Sequence, residues 1–311
     1  MRSILITGGA GYVGIELTKS LLASGNLVHI VDTFWFGDNL QPHPNLKKYK
    51  MDIREFDPPE ELEKIDTVIH LASIANDPSA ELDPSLSWEI GCLGTLKVLQ
   101  WAASKSVNNF IVASSGSVYG VSSEPRVTEE VKLIPISIYN KVKMVKERIA
   151  LSYADKMNIV ILRPATVAGV SDRQRLDLAV NALTFSALNK KCITLFGGTQ
   201  IRPHVHIRDL IAAYEFFIPG EHSGIFNVGF ENTSILELGR RINKITGADI
   251  KTVPSNDPRS YRLNSEKILG LGFIPKYTVD DAIFELIEKF KSGELTDNPM
   301  HYNVNWLKKI G

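Results

Sequence analysis

Residues 3–14 read SILITGGAGYVG. A short apolar, β-rich run stops at glycine, and a helical pattern starts four residues later. Gly8, Gly11 and Gly14 recur at a period of three. A glycine is needed where a strand turns sharply into a helix. A second lets the backbone approach a pyrophosphate, and a third lets helix and strand pack closely. The amides of Tyr12 and Val13 then point along the helix dipole toward phosphate oxygens. A glycine triplet alone is a weak signal, but one that follows a strand and opens a helix has the context of a dinucleotide site. The next strand, LVHIVD, ends at Asp32, eighteen residues after Gly14. A carboxylate there accepts from the adenosine ribose hydroxyls and repels a 2′-phosphate, which favours NAD(H) over NADP(H).

The pattern continues outward from this turn. Apolar strand candidates occupy 3–7, 27–31, 66–72, 108–115 and 158–164, with helical stretches near 12–24, 86–104 and 139–156. Strands apolar on both faces and separated by helices predict a parallel sheet covered on both sides. The fold class is therefore α/β, a Rossmann-type doubly wound parallel sheet over 1–165. After residue 165 the pattern is less regular, and 166–311 read as a smaller α/β substrate lobe interleaved with the first. Ser234 with Glu237 and Thr278 with Asp281 resemble capping boxes that open two of its helices. Asp52 and Ile53, in KMDIRE, follow a further strand and are placed to flank the adenine. Leu71, Ala72 and Ser73, in HLAS, end another strand at the carboxyl edge, where the ligand crevice of such sheets lies.

Composition narrows the class. Lys+Arg and Asp+Glu are both 35, so there is no basic excess for nucleic acid or an acidic membrane surface. The two cysteines, a hundred residues apart, form no metal-binding pattern, and no metal is expected. No stretch approaches the ~20 apolar residues of a membrane span. A soluble, cytoplasmic protein is expected.

Ser115 lies at the end of a strand in SSGSVYG, and Tyr139 and Lys143 follow in YNKVK. Four residues apart, Tyr139 and Lys143 share one helix face. Alone such a pair is ordinary on an amphipathic helix. Taken in order, TGGAGYVG, DIR, HLAS, SSGSVYG, YNKVK and ILRPATVAG resemble the extended short-chain dehydrogenase/reductases, specifically the nucleotide-sugar epimerase and dehydratase group. The similarity continues through RPHVHIRDL (202–210) and DPRSYRLNSEKILGLGF (257–273), and so covers essentially the whole chain.

That resemblance implies NAD as cofactor and a nucleotide-diphosphate sugar as substrate. It assigns Tyr139 as acid/base, Lys143 as its charged neighbour and ligand of the nicotinamide ribose, and Ser115 as donor to the same substrate oxygen. A phenol titrates near ~10 in water, and a cation about 4 Å away would lower it by roughly three pH units. Arg202 and Arg259 match positions whose arginines hold the diphosphate, and Asn181 one that contacts it. The implied reaction is oxidation at C4 to a 4-keto sugar, with epimerisation as the leading outcome. Net 4-dehydrogenation or keto-sugar reduction is the alternative, and a non-catalytic NAD(H) sensor the alternative of another class. The resemblance also implies a homodimer, through apolar faces that carry Leu93, Leu96, Val142, Val145 and Ile149.

The chain departs from the pattern in places. Dehydratases of the group carry Asp-Glu directly after the catalytic hydroxyl residue; here Gly116 and Ser117 stand there. Gly91 replaces an asparagine usual three residues before Gly-Thr, and Asn140 and Val142 alter the usual YGxSK. GVSDRQRLDLAVN (169–181) replaces the commoner proline-glycine loop. His70, His204 and His206 read as structural residues.

Overall fold

Ser3–Thr7 is strand β1, and its side chains alternate between two buried layers. Ile4 and Ile6 face one core, with Ile30, Ile69, Ile111 and Val160. Leu5 faces the other, with Val31, Val68, Val112 and Ile161. Burial on both faces is why the strands are apolar throughout. The computed structural model describes residues 1–62, 64–122, 124–255 and 260–310. In chain order follow α1 (Tyr12–Ala23), β2 (Leu27–Asp32), β3 (Leu46–Lys50), β4 (Thr67–His70), α2 (Asp77–Ala80), α3 (Pro84–Trp88), α4 (Thr95–Ser104), β5 (Asn109–Ala113), α5 (Ile138–Leu151) and β6 (Asn158–Pro164).

Among the described residues seven strands form one sheet in the order Gly224–Val228, β6, β5, β4, β1, β2, β3. All pairs are parallel. The order reverses at β1, between β2 and β4, so the crevice opens at the carboxyl ends of β1 and β4. Two strands are poorly marked in sequence. β3 (LKKYK) is a charged edge strand. Gly224–Val228 joins from beyond residue 165 and pairs with β6.

The remaining strands form two small sheets. Glu231–Ser234, Ile201–His206 and Thr166–Ala168 make one, and Asp249–Val253 with Cys192–Phe196 the other. Helices Ala179–Lys190, Ile235–Thr246 and Val279–Lys291 pack on them around Val180, Leu195, Leu238, Ile242 and Ile283. Thr278 and Asp281 form a reciprocal capping box. Ser234 makes only the forward half of its own, accepting from the Glu237 amide. The chain then returns to the first sheet through the helix Asn303–Ile310.

α5 is tied to the sheet by a buried ion pair. Arg163 Nη2 is 2.7 Å from Glu147 Oε2, and its Nε donates to Oε1 at 2.9 Å. Nη1 donates to Tyr119 Oη at 2.8 Å, and that hydroxyl donates to Asn227 at 2.8 Å. Satisfying both charges in this way offsets their desolvation.

Candidate active site

Gly8 has φ +76, and a Cβ there would stand 2.7 Å from the Ala72 nitrogen. A Cβ on Gly14 would stand 2.3 Å from the Gly8 oxygen. Only glycine lets the turn lie this close to β4 and to the first turn of α1. The turn, the start of α1 and the ends of β2 and β4 line one cavity, which includes Gly8, Gly11, Tyr12, Val13, Gly14, Asp32, Asp52, Ile53, Leu71, Ala72 and Ser73.

Asp32 is fixed by the backbone: Oδ2 accepts from Ala10 N at 2.9 Å and Oδ1 from Phe34 N at 2.8 Å. Burial raises its pKa, and the backbone bonds and nearby Arg173 offset this only in part. Asp52 caps the short turn Ile53–Glu55 and is paired with Arg54, 2.8 Å from Nη2. Burial pushes its carboxyl up, but the Arg54 bonds outweigh it and the net shift is downward.

Tyr12 is buried, and its hydroxyl donates to the Gly169 carbonyl at 2.8 Å. Asn181, expected at the substrate phosphate, is fully buried behind it. Its Nδ2 lies 3.1 Å from Tyr12 Oη and 2.9 Å from the Arg175 carbonyl, and its Oδ1 accepts from Gly169 N at 3.0 Å. This amide clamps the 169–175 loop onto α1 and does not line the cavity.

Several residues of the cavity carry no sequence signal, Arg173, Asn303 and Leu307 among them. Arg173 is 5% exposed, and its guanidinium carbon stands 3.8 Å from the Phe36 ring centroid. Nη2 donates to Asn303 Oδ1 at 2.5 Å, whereas the buried Nε and Nη1 have no hydrogen-bond partner among the described residues. Burial, helped by Arg175, brings its pKa down to about 9. Orphaned cationic donors in a cavity floored by a glycine turn and a helix N-terminus suit an anionic dinucleotide. The helix Asn303–Ile310 closes the same end. Asn303 and Leu307 line it, and Trp306 Nε1 donates to the Trp35 carbonyl at 2.6 Å.

At the other end of the cavity stand Tyr139 and Lys143. Ser137 caps α5 by accepting from Asn140 N, which places Tyr139 in the first turn and Lys143 one turn on. Lys143 Nζ lies 5.5 Å from the Tyr139 ring centroid and donates to the Ala113 carbonyl at 3.0 Å. Burial brings its pKa down to about 8, against the pull of Glu147. The Tyr139 phenol is pushed up to about 12 by burial; a hydrogen bond from Ser115 and the charge of Arg175 act downward and Asp77 upward. The lowering expected from Lys143 does not appear in the protein alone, where burial acts most strongly. Spacing on a helix fixes proximity, and burial here dominates charge.

Ser115 follows β5 and caps the turn Gly116–Tyr119. The segment from Ser260 flanks this turn: Tyr261 Oη and Leu263 Cδ2 would each stand 3.5 Å from a Cβ on Gly116. Ser260 Oγ also accepts from Ile201 N at 3.0 Å, next to Arg202. Arg202 is half-exposed on the strand Ile201–His206, outside the cavity lining. Arg259 lies outside the described residues.

His70 and His204 are both buried. His70 is fully buried between Thr7 Oγ1 at 2.6 Å and Thr95 Oγ1 at 2.9 Å. Burial holds its pKa well below the usual value, and brings that of His204 down to about 4. Lys146, unmarked in sequence, is also fully buried and donates to the Ala72 carbonyl at 3.1 Å. No group of His, Cys, Asp and Glu that could hold a metal occurs among the described residues, and none of their helices is long and apolar enough to cross a membrane.

Residues 4–229 match the NAD dependent epimerase/dehydratase family. A UDP-glucose 4-epimerase of Lactobacillus helveticus is 30% identical over 315 residues, covering 90% of this chain and 94% of that protein. UDP-glucuronic acid decarboxylase 2 of Arabidopsis thaliana is 28% identical over 307 residues, covering 93% and 68%. The crystal structure of a UDP-glucuronic acid 4-epimerase from Bacillus cereus, in complex with UDP-glucuronic acid and NAD, superposes with a TM-score of 0.81 at 27% identity, covering 94% and 99%.

Proposed function

The chain belongs to the NAD-dependent epimerase/dehydratase family, and from that premise we propose that it oxidises a nucleotide-diphosphate sugar at C4 and returns it as the C4 epimer. One observation carries the reading: Tyr139 and Lys143 line the same cavity as the glycine turn and Asp32. Bound NAD supplies the hydride acceptor. The glycine turn and the start of α1 hold its diphosphate, Asp32 its adenosine ribose, and the orphaned donors of Arg173 add positive charge. Tyr139 takes the proton of the C4 hydroxyl, Ser115 donates to the same oxygen, and Lys143 bears on the phenol and the nicotinamide ribose. Arg202 and Arg259 hold the sugar's diphosphate.

Gly116 and Ser117 provide no carboxyl pair for removing water across C5–C6, which supports epimerisation over dehydration. The test is incubation of NAD-loaded protein with UDP-, GDP-, CDP- and dTDP-hexoses, with product sugars resolved by chromatography. A C4 epimer with no net change in NADH is expected. Stoichiometric NADH would show a net dehydrogenase instead, and binding of NAD without turnover of any sugar would favour a sensor.

A homodimer through α4 and α5 is proposed as well. Leu93 is 58% exposed, and Leu96, Val145 and Ile149 are half-buried, whereas Val142 is buried within its own chain. A face of this kind that pairs with its own copy does so across a two-fold axis. A monomer by light scattering at micromolar concentration would contradict it.

A further inference from the structure

Two departures from the group's pattern, Ser117 and Asn140, meet beside the catalytic hydroxyl. Asn140 is fully buried. Its Nδ2 lies 3.2 Å from Asp77 Oδ1 and 2.9 Å from Ser117 Oγ. A carboxylate accepts only, so Asp77 decides which end of the amide is the NH2. Asp77 is itself held by the Ser137 hydroxyl at 2.6 Å. The buried Oδ1 of Asn140 has no partner among the described residues, so the amide acts through its donors.

The Asn140 bond leaves Ser117 Oγ one further lone pair and its own proton to place. Ser117 Oγ accepts from Asn140, and among the described residues Ser115 Oγ, 2.8 Å away, is the acceptor within reach of its own proton, so the reverse order would leave that proton unbonded. Ser115 Oγ also accepts from the Ser117 amide at 3.1 Å. With two bonds accepted, both its lone pairs are used. Its single proton is left to donate, and Tyr139 is the neighbouring group on which Ser115 acts downward.

We infer that Asn140 and Ser117 are positioning residues that lock Ser115 as a donor toward Tyr139 and the substrate oxygen. The inference deepens the proposed function and rests on it. A donor-locked Ser115 stabilises negative charge on the phenol oxygen before substrate binds, and on the substrate oxygen as that oxygen loses its proton. The other groups that bear on Tyr139 are Asp77, Arg175, Lys143 and Tyr214, and changes at Ser117 leave all four in place.

The experiment compares Ser117→Ala, Ser117→Thr and Asn140→Asp with the wild type, NAD-loaded. It reads the pH profile of kcat/KM, and separately the Tyr139 titration by ultraviolet difference against Tyr139→Phe. Ser117→Ala is expected to lose roughly three- to tenfold in kcat, the worth of one hydrogen bond. It should move the Tyr139 titration up by roughly half to one pH unit. Ser117→Thr, which keeps the hydroxyl, should restore both. Asn140→Asp supplies an acceptor that reverses the chain, and a roughly ten- to hundredfold loss is expected. If Asn140→Asp does not fold, the serine pair decides. An unmoved titration in Ser117→Ala overturns the inference even if kcat falls. Absence of turnover in the wild type overturns the proposed function instead, and the titration still reads the positioning.

Discussion

Val142 fills the space in which a side chain at Gly91 would sit: a Cβ there would stand 2.1 Å from Val142 Cγ1. Two departures from the group's pattern are therefore one packing arrangement. Gly91 lies in a π-helical turn, Glu89–Gly94, and its carbonyl accepts from Thr95, the partner of His70. Valine is stiff at χ1 in a helix and cannot swing aside. Gly91→Ala should cost about 1–3 kcal/mol, as overpacking does, and Val142→Ala in the same chain should recover most of it. Urea unfolding of the single and double variants checks this, and purely additive losses would exclude the coupling.

The Glu147–Arg163 pair supports a second expectation. Both side chains are at most 3% exposed. Glu147→Leu leaves the guanidinium charge buried with only Tyr119 and the Glu129 carbonyl, and about 3–5 kcal/mol of stability should be lost. Because the pair ties α5 to β6, the placement of Tyr139 and Lys143 on α5 should suffer with it. A urea midpoint within error of wild type would mean that the pair is replaceable.

Much of this fold is legible where local chain geometry sets a residue's task. Gly8 and Gly14 are needed because a Cβ would strike backbone, and Tyr139 and Lys143 share a face because of the helical period. Asp32 is readable from its place at a strand end. Arg173, Asn303 and Leu307 are not, because they reach the cavity over long returns of the chain that no spacing marks. β3 is obscured by its lysines and Gly224–Val228 by its late position. Spacing also says nothing of burial, which is why the Tyr139 phenol sits higher than its cationic neighbour alone would put it, and why Asn181 is spent inside.

Cofactor choice should follow Asp32. Its oxygens are already set by Ala10 and Phe34, so the carboxylate cannot turn away from a 2′-phosphate. NAD should bind at least roughly tenfold more tightly than NADP, and Asp32→Ser should narrow the gap mainly by strengthening NADP. Titration of each cofactor at one ionic strength is the check. Equal affinities in the wild type would contradict the role.

Lys143 gives a pH dependence with a definite sign. Folded, it titrates near about 8, below the 10.5 of an exposed lysine. Below about pH 8 both states hold the proton, and the folded state bears the full cost of the buried charge, on the order of 3 kcal/mol. From about 8 toward 10.5 the folded state has released the proton while the unfolded chain keeps it, so stability recovers as pH rises. In cofactor-free protein Lys143→Met should raise the urea midpoint at pH 7 and have progressively less effect toward pH 10. A gain constant with pH would point to packing instead of charge.

The most direct measurement is Tyr139→Phe on NAD-loaded protein, mixed rapidly with the nucleotide sugar that the wild type turns over and followed by reduced-nicotinamide absorbance and by product. The wild type should show the absorbance rise and decay as the C4 epimer forms. The variant should bind NAD and the sugar as the wild type does, yet form the transient and the product at least about a hundredfold more slowly, as loss of a general base requires. Near-normal turnover in Tyr139→Phe would show that another group takes the C4 proton.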